Sequence, residues 1–233
     1  MAAGPGRTHP GERLVTGIVV ALDGPAGSGK SSVSRAAASR LDFDFLDTGA
    51  AYRALTWLAL ERGIDVDAAD AIVALVDNLD YATIATPNGT IVKVGETDVT
   101  TAIREPRITA LVSDVARIPE VRVRLTEMFR ATIRESRQAG IVVEGRDITT
   151  VVAPDAEVRI LLTADESVRI ARRSRELTPE HASTATQLRD RDRKDAAVVD
   201  FMTAAPGVTT LDSTNLDFEQ TVSAVLDLVE AAR

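Results

Sequence analysis

The 233 residues include no cysteine. That excludes disulfide bridges, thiolate metal centres and a thiol nucleophile, and it suits a reducing compartment such as the cytoplasm. Histidine is almost as scarce. His9 and His181 are the only two, one in a tail and one in a predicted loop, and neither is assigned a role. Long apolar runs are missing, so no segment is expected to cross a bilayer. Residues 1–17 lack the apolar stretch of a secretory signal; their Gly, Pro, Arg and His content reads as a disordered tail over 1–13. Positive charge is in deficit, with 27 Lys and Arg against 35 Asp and Glu, a net charge of -8. No general attraction to nucleic acid or anionic lipid is expected, and any phosphate chemistry has to use local cationic clusters. Aromatic residues make up only 3% against 45% hydrophobic overall, the balance of an Ala/Val/Leu-rich α/β protein that folds unaided. The length fits one domain with small insertions, expected to be a monomer.

What is present is organised. Leu14 to Leu22 is a β-branched apolar run that ends in Asp23 and a glycine-rich turn, which predicts a buried parallel strand. Ser31 to Leu41 predicts a helix, Asp44 to Leu46 a second strand and Ala50 to Arg62 a second helix. Apolar runs recur at Ile141 to Val143, Val158 to Leu162 and Thr209 to Leu211, so an α/β fold with a parallel sheet of about five strands between helices is predicted. Between Leu79 and Val99 the pattern alternates about Pro87-Asn88-Gly89, which predicts an inserted antiparallel hairpin from Tyr81 to Val94. Helices are predicted over Arg107 to Arg117 and, opened by Pro119, Glu120 to Ala139. A last helix, Phe218 to Ala232, places Phe218, Val222, Val225, Leu226 and Val229 on one packing face.

Gly24-Pro25-Ala26-Gly27-Ser28-Gly29-Lys30-Ser31 satisfies G-x-x-x-x-G-K-[ST] between a predicted strand and a predicted helix. The glycines let the backbone turn its N–H groups towards phosphate oxygens, and the helix start adds its positive dipole end. Lys30 is expected to bridge the β and γ phosphates of ATP, and the Ser31 hydroxyl to ligate Mg²⁺; Ser32 completes the ATP-binding run. A phosphate loop alone does not separate a switch, a motor and a small-molecule kinase.

Two further segments follow predicted strands, where open α/β sheets bind ligands. They are Asp47-Thr48-Gly49-Ala50-Ala51-Tyr52-Arg53 and Glu144-Gly145-Arg146-Asp147-Ile148-Thr149-Thr150-Val151-Val152. Four arginines lie between Arg169 and Arg175, and three more with a lysine between Arg189 and Lys194. Each segment also has a plain reading: Arg53 as a surface helix residue, Arg146 and Asp147 as an ion pair closing a turn, the 189–194 run as a solvated face.

Taken in order, these motifs resemble the bacterial-type cytidylate kinases of the nucleoside monophosphate kinase family. The likeness runs from about Val15 to the C-terminus and includes the insert ending near Ile103-Arg104, Pro154-Asp155-Ala156 and Leu211-Asp212-Ser213-Thr214. The resemblance implies a kinase domain over 14–233, with an acceptor-binding insert at about 64–117 and a helical lid at about 165–195. It implies the reaction ATP + (d)CMP giving ADP + (d)CDP. Carried over by position, Thr48, Tyr52 and Arg53 belong to the acceptor pocket, and Arg53 and Arg146 hold the CMP phosphate. Ser113, Arg122 and Asp147 read cytosine, while Arg191 and Asp195 hold the sugar. Arg169, Arg173 and Arg175 are the lid arginines expected to join Lys30 at the transferring group. Three positions depart from the family pattern: Thr149 stands for Gly, Ala51 for Met and Val198 for Arg. A kinase for UMP, AMP or a non-nucleotide acceptor, and an ATP-dependent switch without acceptor chemistry, remain the rival readings.

Overall fold

A computed structural model describes residues 17–86, 89–176 and 185–233, without the side chains of Ala85, Arg173, Arg175, Glu176, residues 185–188 and Arg191. The predicted 1–13 tail, both histidines, the start of the first predicted strand, Pro87 and Asn88 of the predicted turn, and the Arg173, Arg175 and Arg191 side chains lie outside the described residues.

The frame is a five-stranded, all-parallel sheet in the order β2-β6-β1-β7-β8, formed by β1 (Ile18–Asp23), β2 (Asp44–Asp47), β6 (Gly140–Gly145), β7 (Val158–Thr163) and β8 (Thr209–Asp212). Its two central strands read as apolar because both faces are covered. Alternation sorts their side chains. Val19, Ala21, Ile141 and Val143 enter the core on the face of α2 (Thr48–Glu61), α3 (Ala69–Val76) and α5 (Pro119–Glu135). Val20, Leu22 and Val142 enter the core on the face of α1 (Lys30–Leu41) and α8 (Phe218–Glu230).

A three-stranded antiparallel sheet of β3 (Tyr81–Thr86), β4 (Gly89–Val94) and β5 (Thr97–Asp98) sits apart from this frame, with Val92 in a small core shared with Ala50 and Ala54 of α2. The predicted hairpin is therefore present and carries a third, two-residue strand. It leads through the turn Ala102–Arg104 into α4 (Pro106–Ala116). The remaining helices are α6 (Glu166–Glu176) and α7 (Ala185–Ala196).

Two sequence expectations need correction, and one helix was missed. Helix α3 was not foreseen: its Ala68 cap position has no side-chain hydrogen bond, so the usual start signal is missing. Helix α5 stops at Glu135 rather than Ala139; Ser136 leaves the helix and donates its hydroxyl to Asp44 at 2.7 Å. Phe218, expected on the packing face of α8, is 47% exposed, because the Asp217–Gln220 capping box starts the helix at that residue and the buried face begins at Thr221 and Val222. Among the described residues, no helix is long and apolar enough to cross a membrane.

Candidate active site

The sheet order puts β1 between β6 and β7, so the chain leaves β1 towards one edge and later returns to build the other. A crevice opens at the carboxyl ends of β1 and β6, where such sheets bind ligands. The glycine-rich loop leaves β1 there, and Glu144 to Asp147 leave β6 beside it. Gly27 has φ 76°, and a Cβ on it would lie 2.5 Å from the Arg169 carbonyl oxygen. Only glycine lets the loop pass this close to α6 in that conformation. Lys30 Nζ folds back to the Pro25 carbonyl at 3.4 Å. Ser31 Oγ donates to Glu144 Oε1 at 2.6 Å. The buried Ser28 Oγ has no hydrogen-bond partner among the described residues.

The loop is held from behind by the arginine-rich helix. Arg169, buried, donates to the Ala26 carbonyl at 2.8 Å and to Asp192 at 2.6 Å. Arg172 donates to the carbonyls of Ser28, Ser213 and Leu216 and to the Ser213 hydroxyl. The Leu211-Asp212-Ser213-Thr214 segment thus serves as an anchor for α6.

In front of the loop lies a cavity of about 100 Å³. It brings together Lys30, Ser31, Thr48, Tyr52, Arg53, Ser113, Arg122, Arg146, Asp147 and Asp195, ten residues singled out in the sequence and drawn from six separate segments. Asp47 caps α2 by accepting from the Ala50 N–H at 2.9 Å, and pairs with Arg53 at 3.0 Å. Thr48 Oγ1 donates to the Glu144 carbonyl at 2.9 Å. Arg122 pairs with Asp147 at 2.5 Å. Ser113 donates to Asp195 at 2.7 Å, and Arg146 Nε donates to the other oxygen of Asp195 at 3.2 Å. The Arg146 guanidinium also lies 4.4 Å from the Phe201 ring centre and donates to the Gly24 carbonyl. Arg169 is not in this cavity; it stands behind the loop.

The electrostatics follow from burial. Burial, with Asp47 close by, pushes the Glu144 carboxyl up to about 7, against the pull of Lys30, Ser31 and Arg53. Burial opposes ionisation of Asp47 too, yet Arg53, Arg104, the Ala50 N–H and Lys30 together hold its carboxyl below the ordinary value. Partial desolvation and the neighbouring Arg53 lower the pKa of Arg104, an exposed cation. Burial raises the Tyr52 phenol.

The departures from the family pattern find physical accounts. Thr149 donates both its N–H, at 2.9 Å, and its hydroxyl, at 2.7 Å, to the buried carboxylate of Asp23, which also accepts from the Ile148 N–H at 2.9 Å. Burial still leaves the Asp23 pKa raised. Ala51 is fully buried in the core beneath α2, so that difference concerns packing. Val198 lines the cavity, where it offers no charge.

Sequence reasoning missed Asp23, Asp47, Glu144, Arg172 and Asp192 as members of this site. Asp47 and Glu144 stood inside quoted motifs directly after strands, a signal sufficient to find them. Asp192 sat in a run of charges with no local mark.

The family model described as cytidylate kinase matches residues 20–231. A cytidylate kinase of Streptomyces avermitilis is 41% identical over 223 residues, covering 95% of this chain and 96% of that protein. One of Cutibacterium acnes is 46% identical over 217 residues, covering 91% and 96%. One of Streptomyces coelicolor is 43% identical over 219 residues, covering 93% and 94%. With a five-stranded parallel sheet, a complete phosphate loop and matches along nearly the whole length, the chain belongs to the cytidylate kinase family.

Proposed function

We propose that this chain transfers the γ-phosphoryl group of ATP to CMP or dCMP, giving ADP and CDP or dCDP. The observation that carries the reading is the single cavity in which Lys30 and Ser31 face the Arg122–Asp147 pair, Ser113 and two further arginines. Such an arrangement supports a donor phosphate at one end and a polar base at the other.

At the base end, Ser113 gives its proton to Asp195, so its oxygen lone pairs are left to accept from an exocyclic amine. Asp147 uses one oxygen on Arg122 and keeps the other for the same amine, while the free N–H groups of Arg122 face a ring nitrogen and a carbonyl. This is the complement of a cytosine edge. Asp195 and Arg191 are assigned to the sugar, and Arg53 and Arg146 to the acceptor phosphate, with Thr48 and Tyr52 closing the pocket.

In the transfer, an oxygen of the acceptor phosphate forms a bond to the γ phosphorus as the bond to the β-phosphate oxygen breaks, and ADP leaves. The acceptor oxygen is already anionic near neutral pH, so no general base is needed. The protein's work is alignment and neutralisation of charge on the equatorial oxygens by Lys30, the loop N–H groups and the lid arginines Arg173 and Arg175, while Arg169, expected from the sequence to join them, supports the loop from behind through the Ala26 carbonyl. The donor set at the loop fits a hard cation: a hydroxyl, Ser31, against a buried carboxyl, Glu144, whose oxygen lies 2.6 Å from it. Mg²⁺ would be held there, chiefly by Ser31 with Glu144, and would supply further neutralisation of the donor phosphates.

The reading is tested by incubating the chain with ATP, Mg²⁺ and each of CMP, dCMP, UMP, AMP and GMP and identifying products by ³¹P NMR. CDP and dCDP are expected. ADP forming slowly and without regard to any monophosphate would instead indicate a switch.

A further inference from the structure

Asp192 lies on α7 and is only 8% exposed. Its carboxylate joins three other parts of the molecule. Oδ1 accepts from the Ala26 N–H of the phosphate loop at 3.0 Å and lies 3.5 Å from a terminal nitrogen of Arg146. Oδ2 accepts from Arg169 at 2.6 Å, and the same Arg169 nitrogen donates to the Ala26 carbonyl at 2.8 Å. Both backbone polar groups of Ala26 are thus taken by one ion pair that spans α6 and α7.

One turn along α7, Asp195 accepts from Arg146 Nε at 3.2 Å. Arg146 therefore stands in a fork of two α7 carboxylates, over the Phe201 ring and against the Gly24 carbonyl. Arg146 itself is carried by the end of β6, a rigid strand. Both carboxylates that orient it come from α7, so its direction depends on whether α7 is seated. A carboxylate this buried is tolerated only while it is paired and hydrogen-bonded. Seating α7 and engaging the two arginines are consequently one event.

We propose that Asp192 is a positioning residue that makes the alignment of Arg146 and Arg169 conditional on α7 being seated against the phosphate loop. The proposal rests on the kinase reading above. With α7 displaced, Arg146 loses the two carboxylates that direct it, and Ala26 of the phosphate loop loses the ion pair that holds both its backbone polar groups.

The experiment is a double-mutant cycle of Asp192→Asn and Arg169→Met in the full chain, with kcat and both KM values from ATP and CMP and the folded fraction from thermal melts. Asn keeps the shape and one acceptor but removes the charge. Asp192→Asn is expected to lower kcat per folded molecule by about tenfold to a hundredfold, the cost of misaligned reacting groups. The KM for ATP is expected to stay within about threefold while that for CMP rises, because Arg146 is assigned to the acceptor phosphate, and the same change in the Arg169→Met background is expected to cost under about threefold in kcat, since both act through one unit. The proposal is overturned if kcat per folded molecule stays within about twofold of wild type, or if the two losses multiply as for independent sites. CDP formation by the wild-type chain, measured alongside, tests the kinase reading separately.

Discussion

Ser31 Oγ donates to Glu144 Oε1 across 2.6 Å, a bond that ties the first turn of α1 to the carboxyl end of β6. Glu144 is buried against Asp47, and its raised pKa of about 7 is the chemical consequence. In metal-free protein the folded state keeps this proton up to about pH 7, whereas the unfolded chain releases it near the ordinary value of 4.5. Between those values the folded state binds more protons, so this group makes stability fall as pH rises through the window and level off above it. Asp47, held low, titrates below that window, and Asp23 keeps its own raised value in wild type and variant alike.

Glu144→Gln is therefore expected to remove part of the stability loss between about pH 5 and about pH 8. Thermal melts in EDTA at the two pH values check it. An unchanged difference between wild type and variant would contradict the burial account of Glu144.

Lys30→Ala is expected to lower kcat by about a hundredfold or more, the loss that follows deletion of a preorganised charge donor. Steady-state kinetics on protein shown to be folded by circular dichroism checks it.

Thr149→Ala removes the hydroxyl that donates to Asp23 at 2.7 Å inside the protein. The expected cost is about 1 to 3 kcal/mol, because a buried carboxylate loses one of its three donors. For a chain of this length that is a fall in Tm of several degrees, at roughly 2 to 4 °C per kcal/mol. Calorimetry reads it directly.

Asp147→Asn replaces an acceptor by a group that can turn an NH₂ towards a carbonyl. It is expected to narrow the preference of kcat/KM for CMP over UMP by about tenfold, most of it from better use of UMP. Parallel kinetics on the two substrates check this.

Much of this arrangement was legible beforehand because it is written in local patterns. The phosphate loop announces itself through glycine spacing between a strand and a helix, and β1 and β6 through unbroken apolar runs that only doubly covered strands show. The parity of Val19 and Val20 then decides which helices cover which face. Helix α3 was illegible because Ala68 provides no capping side chain, and β5 because two residues cannot display a period. The limit is clearest at Asp192. In sequence it is one carboxylate in a run of alternating charges, indistinguishable from a solvated face, and it becomes informative only when folding carries it 166 positions back to the Ala26 N–H. Glu144 is similar: a strand-end carboxylate is visible, but its partner Ser31 is 113 positions away.

The central claim is that Ser113, Arg122 and Asp147 select cytosine, and the ratio of kcat/KM for CMP to that for UMP tests it most directly. Uracil would set a carbonyl oxygen against the Asp147 carboxylate, leaving a buried group unpaired at about 1 to 3 kcal/mol. The account predicts that CMP is favoured by about tenfold to several hundredfold. Equal values for the two nucleotides would contradict it.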